Sequence, residues 1–104
     1  MITAIVNFRL PEGATLEDAT ARFQSTAPLY LGHKGLTRKY YLFDPQTNTG
    51  GGCYLFETRE DAEAMFDDAW RARIREKYGS EPEIRFFESP VIVDNQRGEI
   101  EGGS

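Results

Sequence analysis

Several side chains near the middle of the chain could bind a small organic molecule. Arg38 and Tyr40 are two residues apart in an apolar segment, so they share one face of a predicted strand. Together with Tyr54 and Phe86 on later strands, they could bind an acidic or phenolic ligand if that face lines a pocket. If the face instead meets a second copy of the chain, they are interface residues, because Tyr and Arg are common there.

His33 is the only histidine, and it lies in the loop that precedes this segment. The ordinary pKa of histidine, about 6.5, suits a general base near neutral pH. A histidine between Gly32 and Lys34 is also typical of an exposed loop with no catalytic role. Both interpretations stay open at the level of the sequence.

The sequence lacks the patterns of several common kinds of site. Phosphate-binding loops lead into a helix, whereas Gly50–Gly52 lead into a predicted strand, which favours a bulge or a close approach of backbones. Cys53 is the only cysteine, so no intramolecular disulfide can form, and one His with one Cys is not a zinc pattern. No nicotinamide or flavin fingerprint is visible, so we predict no cofactor.

The local patterns predict one α+β domain with the order βαββαβ. This is the ferredoxin-like arrangement, a four-stranded antiparallel sheet with helices on one face. Thr15 and Thr58, each followed three residues later by an aspartate, mark the starts of the two helices, and Gly79 marks the end of the second. Strands are predicted at Ile2–Arg9, Leu36–Asp44, Gly51–Glu57 and Glu83–Asp94, the last with a bulge or edge at Pro90.

The predicted domain covers residues 1–94 and is followed by a polar, Gly-rich tail at 95–104, which we expect to be mobile unless a partner chain orders it. The strands are apolar on both sides, because the neighbours Phe86 and Phe87 point to opposite faces, as do Tyr40 and Tyr41. Helices can cover only one face, so a second copy of the sheet is the simplest cover for the other. We therefore predict a homodimer, although single tyrosines also lie on wet surfaces.

Charge and hydropathy restrict the partners. The net charge is -5, which disfavours a nucleic-acid binder. No apolar run approaches the ~20 residues that span a membrane. The segment Met1–Val6 is typical of a strand and not of a signal peptide, so we expect a cytoplasmic protein without nucleic-acid or membrane partners.

Four segments occur in an order that resembles a known family. They are Gly35–Asp44, Gly50–Glu57, Trp70–Ile74 and Phe86–Asp94. They resemble the YdhR-type monooxygenase family of the dimeric α+β barrel superfamily. The resemblance implies a homodimer whose two sheets form a barrel, with a pocket between each sheet and its helices.

The resemblance also points to Asn7 and Trp70, since related barrel monooxygenases have an Asn and a Trp in similar places. An electron-rich phenolic substrate can itself donate an electron to oxygen, so the protein need only bind it, deprotonate it and stabilise the anion. The Trp70 indole would donate a hydrogen bond or stack, Asn7 would stabilise the oxyanion, and His33 or a tyrosine would accept the proton. Trp70 also extends an apolar helical stripe, which is typical of a core residue.

Two functions from different classes remain. The first is a cofactor-independent monooxygenase that acts on a small aromatic or phenolic compound. The second is a non-catalytic small-ligand-binding or stress-associated dimer. A cavity lined by both Asn7 and Trp70 would favour the enzyme, and a cavity filled by the protein's own aromatic side chains would favour the binding protein.

Overall fold

In the computed structural model, which describes residues 1–102, the chain forms a four-stranded antiparallel sheet, three helices on one of its faces, and a terminal hairpin. The sheet has the strand order β2-β3-β1-β4, so the predicted ferredoxin-like α+β fold is confirmed. The elements are β1 Ile2–Arg9, α1 Leu16–Thr26, a short 3-10 helix Ala27–Leu29, β2 Leu36–Asp44, β3 Thr49–Phe56, α2 Arg59–Met65, α3 Asp68–Tyr78, β4 Glu83–Glu88, β5 Val91–Asp94 and β6 Glu99–Gly102.

Strict alternation along β1 assigns the two faces of the sheet. Ile2, Ala4, Val6 and Phe8 are buried against the helices, and the residues between them point the other way. Antiparallel partners share a face, so the register extends this assignment to the other strands. We call the side away from the helices the open face; it carries Thr3, Ile5, Asn7, Tyr40, Leu42, Cys53, Leu55, Arg85 and Phe87.

The second helical segment is divided into two helices. We predicted one helix from Thr58 to Gly79, but α2 ends at Met65 and α3 begins at Asp68. The Asp67 carboxylate starts α3 by accepting a hydrogen bond from the backbone N–H of Trp70 at 2.8 Å. Gly79 ends α3 in the left-handed conformation, as predicted. Within residues 1–102, no helix has the length and apolar character needed to cross a membrane.

The end of the chain differs from the sequence prediction. The strand predicted at Glu83–Asp94 ends at Glu88, because Pro90 cannot donate to a continuing ladder. After it, β5 and β6 pair with each other and not with the main sheet. Residues 99–102 of the predicted tail are therefore a strand, and the predicted boundary at residue 94 falls inside this hairpin. Residues 103–104 lie outside the described part of the chain.

The three glycines of β3 lie where a Cβ atom would be crowded by neighbouring atoms. A Cβ atom at Gly51 would collide with the carbonyl oxygen of Val6 on β1. A Cβ atom at Gly52 would lie only 2.8 Å from the Tyr54 ring. The bulge of this sheet lies elsewhere, between Leu36 and Arg38, and the close approach of backbones is confirmed at Gly51.

Candidate functional site

A small cavity lies between the sheet and the helices. Its volume is about 20 Å³, which is room for about one water molecule. It is enclosed by β2, β3, α3 and the segment that follows α1. Its lining includes Tyr30, Lys39, Tyr41, Tyr54, Arg73 and Tyr78.

Lys39 on β2 points into this cavity because of the bulge at the start of the strand. The extra residue, Thr37, lets both Leu36 and Lys39 face the helices although they are three residues apart. The ammonium nitrogen of Lys39 lies 3.4 Å from the ring centroid of Tyr30 and 3.7 Å from that of Tyr41. The Tyr54 ring is 4.6 Å away, so three aromatic rings surround one amine.

Two opposing effects act on the charge of Lys39. Ring faces attract a cation and favour the ammonium form. Loss of hydration on burial favours the neutral amine, and so does the positive charge of Arg73. The result is that burial lowers the pKa of Lys39 from 10.5 to about 7. Lys39 can therefore both release and accept a proton near neutral pH.

Burial changes the pKa of three tyrosines of the cavity in the opposite direction. Burial raises the pKa of Tyr54 and of Tyr41 above the ordinary value, and it raises the pKa of Tyr78 to about 12. They keep their protons at neutral pH, so they can donate hydrogen bonds but are poor acceptors of a substrate proton. Lys39 is better suited to that step than the tyrosines considered in the sequence analysis.

Tyr30 connects the cavity to α3. Its hydroxyl oxygen accepts a hydrogen bond from the indole N–H of Trp70 at 3.0 Å and another from the Arg73 guanidinium at 3.3 Å. Trp70 is buried, 4% exposed, and its ring packs edge-on against Phe66. Trp70 is therefore a core residue whose indole N–H donates to Tyr30, and its role as a donor to a substrate stays a prediction.

The expectation that Asn7 and Trp70 line a common pocket is wrong. Asn7 is an odd-numbered residue of β1 and lies on the open face, opposite Glu83 of β4 and Gly51 of β3. It borders an exposed cleft of about 490 Å³ that Asp44 and Glu83 also line. Trp70 lies on the helix side, so the whole thickness of the sheet separates the two residues.

The other sequence candidates are divided in the same way. Tyr54 and Phe86 lie on the helix side, Tyr54 in the cavity wall and Phe86 against Phe66. Arg38 and Tyr40 lie on the open face, where the Arg38 guanidinium donates to the Tyr40 hydroxyl at 3.2 Å. These four residues therefore cannot bind one ligand within a single chain.

His33 is exposed in the loop before β2. Its ring bonds only to the neighbouring carbonyl oxygen of Lys34, at 3.2 Å, among the hydrogen bonds described for residues 1–102. It is not among the lining residues of the sheet–helix cavity. A general-base role for His33 stays a prediction that this geometry does not favour.

Sequence reasoning missed Tyr30, Lys39, Tyr41 and Arg73. One signal was present for Lys39, a lone cation among the aromatic and aliphatic residues of a predicted strand. A cation at such a position either lies on a solvent-exposed face of the sheet or contacts a specific partner inside the protein. The sequence carried no comparable signal for Tyr30, which lies in a loop.

The comparisons with known proteins agree with this architecture. NE2512, a protein of unknown function from Nitrosomonas europaea, has 22% sequence identity, with a TM-score of 0.65 over 85% of this chain and 87% of that chain. A mutant of SnoaB, a cofactor-independent oxygenase from Streptomyces nogalater, has 15% identity, with a TM-score of 0.60 over 85% of this chain and 91% of that chain. At these identities the likeness shows the fold. No curated protein matches the chain.

The four-stranded antiparallel sheet with helices on one face defines an α+β protein whose fold is similar to that of SnoaB. The family model described as "Putative mono-oxygenase ydhR" matches residues 5–89, which is most of the chain. The chain therefore belongs to the ydhR family, as its sequence segments predicted.

Proposed function

We propose that this chain is a cofactor-independent monooxygenase that acts on a small aromatic or phenolic compound in the sheet–helix cavity. The observation that carries the proposal is the position of Lys39, an amine enclosed by the rings of Tyr30, Tyr41 and Tyr54 beside the Arg73 guanidinium. The site combines aromatic walls for a flat ring with two cations for a developing anion. Membership of the ydhR family and the fold that the chain shares with SnoaB support an oxygenation reaction.

The first step would be removal of a proton from the substrate. With a pKa of about 7, Lys39 is partly neutral at physiological pH, and its amine accepts the phenolic proton. The resulting ammonium and the Arg73 guanidinium then stabilise the phenolate. Lys39 thus serves as base in one state and as counter-ion in the next.

The anion supplies the electrons for the reaction with oxygen. For anthrone as a probe, the phenolate form passes one electron to O₂, and the radical pair joins to give a carbon-bound peroxide. Loss of water then converts the CH₂ group to C=O, so that one oxygen atom enters the product and the other leaves as water. All four electrons that reduce O₂ come from the substrate.

The test is oxygen consumption with anthrone and a panel of hydroquinones. Wild type should turn over at least one of them, and Lys39→Met should lose at least tenfold in rate because it keeps the apolar stem without the amine. Lys34→Met makes the same change at an exposed lysine five residues away and should match wild type. No turnover above buffer, or equal rates for wild type and Lys39→Met, would count against this function.

One observation favours the second candidate, a non-catalytic small-ligand-binding or stress-associated dimer. The cavity has only about 20 Å³ of free space, since the protein's own aromatic side chains fill it. A substrate must therefore displace a side chain before it can react. Saturable binding of a phenol without any oxygen consumption would support the second candidate.

We also propose that the chain works as a homodimer joined through the open face. Phe87 on this face is 41% exposed, and the hairpin adds exposed Val91, Val93 and Ile100. A broad groove of about 870 Å³ separates the hairpin from the open face, and a second chain would fill it. Exposed apolar patches of this kind mark sites of association.

A further inference from the structure

The Tyr30 side chain occupies a slot shaped for a phenol ring. The Tyr41 ring meets it nearly edge-on at 6.3 Å, and the Tyr54 ring does so at 6.0 Å. The Lys39 ammonium lies over its face at 3.4 Å. The Trp70 indole and the Arg73 guanidinium donate to its hydroxyl at the closed end.

Tyr30 lies in the segment 27–35, which is fixed at its start by the Thr26–Tyr41 hydroxyl hydrogen bond and at its end by the Glu57 N–H, which donates to the Gly35 carbonyl oxygen. Between these ends, the Tyr30 side chain reaches into the domain. The neighbours on either side point to solvent, with Leu29 58% and Leu31 88% exposed. The backbone bonds described near Tyr30 stay within the segment, from Tyr30 to Ala27 and from His33 to Tyr30. Opening of this segment therefore requires mainly the withdrawal of the Tyr30 side chain and the loss of its two hydrogen bonds.

Tyr30 also separates the cavity from the surface. A depression of about 260 Å³ lies on the outer side of the segment. Tyr30, Lys39 and Tyr41 line both this depression and the cavity. Withdrawal of the Tyr30 side chain would therefore join the two spaces and open the slot.

We infer that Tyr30 is an internal stand-in for the ligand, and that the slot binds a single-ring, para-substituted phenol whose hydroxyl takes the place of the Tyr30 hydroxyl. This inference rests on the proposed function for the location of the site, and it names the ligand class. The two donors at the closed end select a phenol over an arene without a hydroxyl, because they would otherwise lose their acceptor. The ring walls leave space for one ring where Tyr30 now lies.

The test uses p-cresol, which is the tyrosine side chain as a free molecule, and toluene, which lacks the hydroxyl. Trp70 is the only tryptophan, so its indole N–H gives a single tryptophan side-chain signal in an NMR spectrum. In wild type we expect p-cresol to shift this signal in a saturable way and toluene to leave it unchanged. No shift with p-cresol up to its solubility limit would overturn the inference without any variant.

Variants of the segment distinguish a ligand that displaces the Tyr30 side chain from one that binds at another place on the protein. Tyr30→Gly should bind p-cresol at least tenfold more tightly than wild type, because no side chain must leave, and at least tenfold more tightly than it binds toluene. The affinity of Tyr30→Phe for p-cresol should lie between those of wild type and Tyr30→Gly. Leu29→Gly, on the exposed side of the segment, should bind p-cresol as wild type does. Equal affinity of wild type and Tyr30→Phe for p-cresol, or equal affinity of Tyr30→Gly for both ligands, would overturn the inference.

Binding and turnover can fail independently. If p-cresol binds in this pattern but no phenol or anthrone consumes oxygen, the ligand site stands and the proposed reaction is wrong. If anthrone is oxidised in a Lys39-dependent way while p-cresol does not bind, the reaction stands and the ligand inference is wrong.

Discussion

The indole N–H of Trp70 donates to the Tyr30 hydroxyl across 3.0 Å, which ties α3 to a segment 40 residues earlier in the chain. Arg73, one turn further along α3, donates to the same oxygen at 3.3 Å. A packing residue of the helix layer is thereby connected to the wall of the cavity.

Removal of the contact should have a small but measurable cost. Trp70→Phe keeps the aromatic packing and loses the donor, so the free energy of unfolding should fall by about 1–2 kcal/mol. Tyr30→Phe should cost a similar amount. In urea denaturation, the double variant should cost about 0.5–1.5 kcal/mol less than the two single changes together. Strictly additive costs would show that the two side chains do not interact.

Lys39 should give the stability of the chain a distinct pH dependence. Its pKa is about 7 in the folded chain and the ordinary 10.5 in the unfolded chain. Between these values the unfolded chain holds more protons, so the free energy of unfolding rises with pH by at most about 1.4 kcal/mol per unit. The Lys39 contribution is complete above 10.5 and is lost as the pH falls towards 7.

Denaturation at pH 7, 8 and 9 measures this slope. In that range Tyr41, Tyr54 and Tyr78, whose pKa values burial raises, stay largely protonated in both states, so they add little. Lys39→Met should lose the slope, while Lys34→Met keeps it. Parallel stability curves for wild type and Lys39→Met would mean that Lys39 does not change its proton affinity on folding.

The Lys39 amine should also determine how the rate of oxygenation depends on pH. If Lys39 is the base, kcat/KM should rise with pH through about 7 and then level off, because only the neutral amine accepts a proton. Asn7→Ala should leave both the rate and the profile unchanged, since Asn7 lies on the other side of the sheet. A profile without a limb near 7, or a tenfold loss in Asn7→Ala, would contradict this assignment.

The two adjacent phenylalanines of β4 should separate folding from association. Phe86→Ala removes a ring that packs on Phe66, and it should cost about 3 kcal/mol of folding stability. Phe87→Ala should leave monomer folding nearly unchanged and shift a dimer towards monomer. Light scattering should show a wild-type mass of twice 11.8 kDa at micromolar concentration. A wild-type mass of 11.8 kDa would exclude the homodimer at that concentration.

The fold was predictable because it rests on local signals. The capping residues Thr15 and Thr58 and the stop at Gly79 mark helix ends that the structure retains. The break between α2 and α3 was missed because Asp67 lies inside an unbroken helical pattern of apolar residues. A capping residue within such a pattern is easily taken for one more exposed acid.

The site was less predictable because it depends on which face each strand residue takes. Simple alternation places Arg38 and Tyr40 with Leu36, which packs on the core. The bulge shifts the register by one residue and sends Lys39 inward instead. Both alternating sets of β2 residues include a tyrosine, Tyr40 in one and Tyr41 in the other, so the hydrophobicity pattern gave no indication of the register shift. On β1, by contrast, the alternation of Ile2, Ala4, Val6 and Phe8 already placed Asn7 outside.

The glycines of β3 affect the shape of the cavity, because the rings of two cavity residues lie next to them. Gly50 and Gly52 occupy helix-facing positions opposite Phe8 and Val6, and neither contributes a side chain to the layer between sheet and helices. A Cβ atom at Gly52 would lie 2.8 Å from the Tyr54 ring, and one at Gly50 would lie 3.0 Å from the Phe8 ring, so these rings occupy the space that side chains at the two positions would take. A backbone wall cannot rotate aside as a side chain can. Relatives with larger residues at these two positions should have displaced Tyr54 and Phe8 rings, so their cavities should differ in shape from this one.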